Sequence, residues 1–203
     1  MTADRATAPQ GPRHDGGPAT PATSSVLVVG LGNVLMGDDG FGPYVARLLE
    51  ARYECPDGVS ILDLGTPGLD LIPHLSGIDV LILVDTVRSD GPPGSLRLYD
   101  RAALLRRPPQ QRTSPHDPGV KEALLALDLA GGGPAEVLLV GVIPGPVKSG
   151  VGLTPVLRAA APRAVRAVLR DLRRRGRPLR RRQVPLPADI WWESGERCVP
   201  SPR

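Results

Sequence analysis

The chain has 203 residues, a formal charge of +4 at pH 7, only 3% aromatic residues, and 24 each of glycine and proline. Such a length predicts one domain with a full core, and no stretch approaches the roughly 18 unbroken apolar residues of a membrane span. Cys55 and Cys198 are its two cysteines and the N-terminus carries no apolar signal segment, so a reducing cytoplasm is the expected compartment.

In chain order, residues 1–24 are rich in Pro, Ala, Thr and Gly without an apolar period, and read as a disordered extension. Val26, Leu27, Val28 and Val29 predict a first strand buried on both faces. It breaks at Gly30 and Gly32 and runs into two adjacent acids, Asp38 and Asp39. Two glycines after a strand suggest a dinucleotide site, yet G-x-G-x-x-G fails at Leu35, and the acids have the wrong sign for a phosphate. Glycines that only turn the chain, with solvated acids, remain an open alternative at this point. A helix follows with Val45, Leu48 and Leu49 at helical spacing.

Residues 59–62 predict a second strand, ending at Asp63 and a loop whose Gly65 and Gly68 permit close backbone approach. A short helix around 69–75 carries His74, read as a surface histidine. Residues 80–84 form a third strand, again doubly buried, that stops at Asp85. An acid at the carboxyl end of a central strand is either a loop cap or a functional group facing the crevice of an open α/β sheet. Residues 86–93 are too few for a parallel crossover, which needs about a dozen. The fourth strand, 95–99, is therefore expected to be antiparallel and at an edge.

Residues 100–115 then read as a long irregular segment. His116 precedes Asp117 and Pro118, an N-cap and N1 pair opening a helix through Leu124, Leu125 and Leu129. The positive helix end favours a neutral imidazole, the form that binds a metal, although His116 taken alone reads first as a polar loop residue. Residues 137–143 predict a central fifth strand. Thr154 and Pro155 open the last helix, whose core face holds Val165, Val168, Leu169 and Leu172. The expected fold is an α/β three-layer sandwich around a five-stranded, mostly parallel sheet of order 2-1-3-5-4, with strand 4 antiparallel. Its domain spans 25–175. Residues 176–203 begin with an arginine run broken by Gly176 and Pro178, and read as a basic disordered tail.

On this topology Asp39, Asp85 and His116 converge on one sheet edge. An O,O,N set suits a borderline divalent ion with open positions, and metal-assisted hydrolysis is the reaction class it permits. No HExxH, GxSxG or Walker motif is present. A nucleotide-binding module on the glycine loop, and nucleic-acid binding through the arginine run with Trp191 and Trp192, are the rival classes. Neither explains His116.

The motifs GLGNVLMGDDGFGP, ILDLGTPGLDL, LILVDTV, TSPHDPG and VGVIPGPVKSGVGLTP, in this order, resemble the nickel–iron hydrogenase maturation endopeptidases over residues 25–172. The resemblance implies a phosphorylase/hydrolase-like sheet and an endopeptidase classed with the aspartic type. Its task would be to remove the C-terminal extension of a hydrogenase large-subunit precursor after nickel insertion. It also implies that Asp39, Asp85 and His116 are the nickel-contacting and catalytic groups, with nickel supplied by the substrate and no permanent cofactor. Asp39 stands at a position where the family uses Glu or Asp. We further expect Asp38, Asp63, Gly65, Thr66 and Gly68 to line the groove for the substrate tail, with Asp38 alternatively a supporting acid behind Asp39 or an organiser of its loop.

Overall fold

The computed structural model describes residues 25–106 and 117–193. Its centre is β1 (Val26–Leu31), six consecutive buried residues. Parallel neighbours flank it, β3 (Val59–Gly65) on one side and β4 (Val80–Thr86) on the other. β4 pairs in parallel with β6 (Glu136–Val142), and β5 (Leu96–Asp100) closes the edge antiparallel to β6. The order β3-β1-β4-β6-β5 is the predicted one, renumbered because a short strand, β2 (Tyr53–Glu54), intervenes outside this sheet.

Strand alternation sends successive side chains to opposite faces, and both faces are apolar. Val26, Val28, Ile82, Val84 and Val140 point into one core, covered by α1 (Phe41–Arg52) and α5 (Pro155–Arg174). Leu27, Val29, Leu81, Leu83 and Leu139 point into the other. That second core is covered by α2 (Ile72–Leu75), α3 (Arg101–Arg106) and α4 (Asp117–Leu129). Thr154 caps α5 as expected, its hydroxyl accepting from the Leu157 N–H, with Pro155 in the first turn.

The helix expected through Leu124, Leu125 and Leu129 is α4; its core stripe is Val120, Ala123, Leu124 and Leu127, and Leu125 and Leu129 lie on the outer face at 48% and 92% exposure. Two expectations need correction. The connection after β5 is not irregular throughout, since it opens with α3; residues 107–115 lie outside the described residues. The second concerns the basic tail. Over residues 176–193 it is not a solvated coil, because β7 (Arg180–Arg181) pairs antiparallel with β2. The cause is the C-terminus of α1, whose last carbonyls have no partner within the helix. The Arg182 and Leu186 N–H groups donate to Arg52 O and Ala51 O, both at 2.9 Å, and Arg182 Nε donates to Glu50 O at 3.2 Å. Arg180 and Arg182 also pair with Glu54. The N-terminal extension 1–24 and residues 194–203 lie outside the described residues.

Candidate active site

The site is built where α1 is jammed against the carboxyl ends of β1 and β4. A Cβ on Gly42 would sit 2.2 Å from Leu31 O and 2.3 Å from Val84 O, and one on Gly30 would sit 2.3 Å from Gly42 O. Only glycine allows strand and helix backbones this close. Gly32 has φ of 141° and faces Asp39 O, so the loop folds back on the turn that carries the acids. These glycines are filled by the protein's own backbone, which leaves no phosphate cradle and removes the basis of the nucleotide reading.

Residues 37–40 form a 3-10 turn at the entry to α1. Asp39, 4% exposed, accepts from the Asn33 N–H at 2.9 Å through Oδ2 and from the Thr86 hydroxyl at 3.1 Å through Oδ1. Asp85, 1% exposed, accepts from the Thr86 N–H at 2.7 Å. Thr86 therefore ties the two predicted acids together at the end of β4, and the topology does bring them to one edge. A cavity of about 290 Å³ opens there, lined by Asp39, Asn33, Thr66, Thr86, Arg88 and Val147 among others. Asp85 is not among its described lining. Thr86 escaped the sequence reading, although its place directly after Asp85 on a buried strand is the signal that could have found it.

His116 lies outside the described residues, so no geometry is given to the third member. Among the described residues no group of three His, Cys, Asp or Glu side chains could hold a metal ion. The two carboxylates on Thr86 are oxygen donors of the kind a borderline divalent ion accepts beside an imidazole.

The groove residues divide. Asp63, Gly65 and Thr66 line a second cavity of about 300 Å³. Asp63 is held there by Arg47 at 3.4 Å and by the Gly65 N–H at 3.1 Å. Asp38 lines neither of these two cavities. It is 1% exposed and accepts from the Gly145 N–H at 2.9 Å, the Thr154 N–H at 2.7 Å and the Thr154 hydroxyl at 3.1 Å. Asp38 thus ties the acidic turn to the 144–154 loop and to the cap of α5. Gly68 is also outside both cavities, packed against the first turn of α4, where a Cβ on Gly119 would meet Gly68 Cα at 2.8 Å. His74 is exposed on α2, as expected. Sequence reasoning gave Trp191 and Trp192 no part in this edge, yet both line the second cavity.

A family model described as hydrogenase maturation protease matches residues 43–171, a span that includes Asp85 and opens just after Asp39. The chain is 38% identical over 155 residues to hydrogenase 2 maturation protease of Escherichia coli (strain K12), covering 74% of this chain and 92% of that one. It is 36% identical over 153 residues to hydrogenase expression/formation protein HoxM of Azotobacter vinelandii, with coverage of 75% and 74%. Among solved structures, the hydrogenase maturating endopeptidase HybD from E. coli superposes with a TM-score of 0.71 at 35% identity. That match covers 78% of this chain and 98% of the other.

Proposed function

The chain belongs to the hydrogenase maturation protease family, and from that premise we propose that it removes the C-terminal extension of a nickel–iron hydrogenase large-subunit precursor once nickel is in place. The observation that carries the reading is the acid pair joined through Thr86, with Asp39 and Thr86 themselves lining the carboxyl-edge cavity. In this proposal the metal belongs to the substrate. Asp39 and Asp85, with His116, contact nickel already seated in the precursor, and the ion supplies Lewis acidity at the scissile carbonyl.

The residues of this chain bind and orient. Asn33 and Thr86 fix the Asp39 carboxylate by one hydrogen bond to each oxygen, so its direction into the cavity does not depend on the substrate. Acids rather than a thiol do the chemistry in this reading, which fits the aspartic-type class. Cys55 lies just past the far end of α1, about 18 Å along a helix of 12 residues from the acidic turn. The partner is a precursor protein. No helix among the described residues is long and apolar enough to cross a membrane, and two cysteines in the whole chain fit a cytoplasmic setting. Nucleic acid is not favoured, since Arg180 and Arg182 of the basic run are engaged by Glu54.

The test incubates the protein with large-subunit precursor prepared with and without nickel and follows the extension by mass spectrometry. Cleavage is expected only with nickel present, and Asp39→Asn should lower it at least a hundredfold by removing a charged contact. Equal processing of the nickel-free precursor would refute the gating.

A further inference from the structure

The C-terminal segment does more than close the end of α1. It runs back along that helix from the C-terminal turn, where Arg182 and Leu186 bind its carbonyls, to the N-terminal turn beside the acids. Glu193 is anchored there by Arg158 at 2.8 Å, and the Arg158 guanidinium sits 5.7 Å over the Tyr44 ring in the first turn of α1. The Glu193 carboxylate, against the opposing effect of burial, holds Arg158 more firmly charged than usual. Trp192 is buried at 6% exposure and meets Trp191 edge to face, with ring centroids 5.7 Å apart. Trp191 itself is 57% exposed. The Trp191 indole thus rests edge to face on a buried neighbour, in a segment pinned by an ion pair at Glu193, with more than half its surface in water.

Around that indole the surface is mostly apolar and adjoins the acid pocket. The cavity that Trp191 lines shares Asn33 and Thr66 with the cavity that holds Asp39. Its other wall is the loop of Gly32, Val34 and Leu35, with Leu35 57% exposed. Its one described carboxylate, Asp63, is already engaged by Arg47 and by its own turn, so the cavity does not select for a cation. Glycine on one side and a rigid aromatic on the other suit an extended backbone carrying an apolar side chain.

We propose that Trp191 is a docking residue for the precursor segment next to the scissile bond, packing an apolar side chain of that segment against its indole face. The proposal rests on the endopeptidase reading for the identity of the segment, and on the Asn33 and Thr66 wall shared by the two cavities for its place. Trp191 acts in binding and not in the chemical step.

The chain's two tryptophans both lie in this wall, so intrinsic emission reports on the groove alone. The probe is a tryptophan-free synthetic peptide spanning the junction between a mature large subunit and its extension. Binding should move the emission to shorter wavelength and protect it from acrylamide. Trp191→Ala should raise KM for the nickel-loaded precursor about tenfold with kcat within about twofold, as expected for a lost aromatic anchor, and Trp191→Phe should restore most of it. An unchanged KM in Trp191→Ala, or no emission change with peptide, overturns the proposal. So does an acrylamide-shielded Trp191 that becomes accessible only when residues 194–203 are deleted, which would make the chain's own end the occupant. Shielding that rises with protein concentration would assign the groove to a second copy and also overturn it. If the peptide shifts the emission while the wild-type protein leaves every precursor intact, the groove stands and the proposed reaction falls.

Discussion

Asp38 and Asp39 stand side by side in one 3-10 turn, and their carboxylates serve different neighbours. At three residues per turn, consecutive side chains point about 120° apart. One therefore faces the 144–154 loop and the other faces Thr86 and the cavity. The string GDDG does not say which is which, because the division depends on where Thr154 and Thr86 arrive from distant parts of the chain. Replacing Asp38 by Ala leaves the part-buried N–H groups of Gly145 and Thr154 without this acceptor. We expect a loss of about 3 kcal/mol in urea denaturation from these unsatisfied donors, and processing activity that falls because the loop against the acidic turn loses its anchor. A variant as stable as the parent would show that Asp38 is not structural.

At the scale of elements, the crossing of β1, α1 and β4 fixes where the acids sit. Gly42→Ala puts a methyl group within 2.3 Å of two strand carbonyls, neither of which can rotate away. The helix must move off the sheet, and a cost of about 3 kcal/mol or more is expected, at the upper end for overpacking. Thermal melting measures it, and a melting point equal to the parent's would mean the helix start is not packed as described. Much of this level was legible in the sequence. β1, β4 and β6 are runs of Val, Leu and Ile that only a doubly covered central position accommodates, and the short 86–93 link forces β5 to run antiparallel. The outer face of α4 was not legible. Leu125 and Leu129 repeat at i, i+4 as a core stripe would, and only the packed sheet shows that the stripe in contact is 120, 123, 124 and 127. That Asp39 and Asp85 reach one edge was legible because Asp85 ends a central strand and Asp39 lies in the loop after another, whereas His116 lies outside the described residues.

For the whole molecule, the least legible feature is the return of residues 176–193 across the domain. Arginines, Gly176 and Pro178 have the composition of a solvated tail. What holds the segment is supplied by its partner surface: open carbonyls at the end of α1, Glu54 for the arginines, and a buried seat for Trp192. None of these can be seen from the tail's own sequence. Their loss should be measurable, because a chain ending at Arg175 exposes the α1 carbonyls and gives up the Trp192 contact together. Removing a buried tryptophan side chain alone typically costs about 3–5 kcal/mol. At about 2–4 °C per kcal/mol for a domain of this size, the chain ending at Arg175 should melt roughly 10 °C below one ending at Glu193. Arg182→Ala within the longer chain should account for only about 1 kcal/mol, the worth of one hydrogen bond and one partly exposed ion pair. Scanning calorimetry on the three chains separates these contributions. Coincident melting of the two truncated chains would mean that the segment lies on the domain without stabilising it, and would leave its two tryptophans as its reason for reaching the acidic edge.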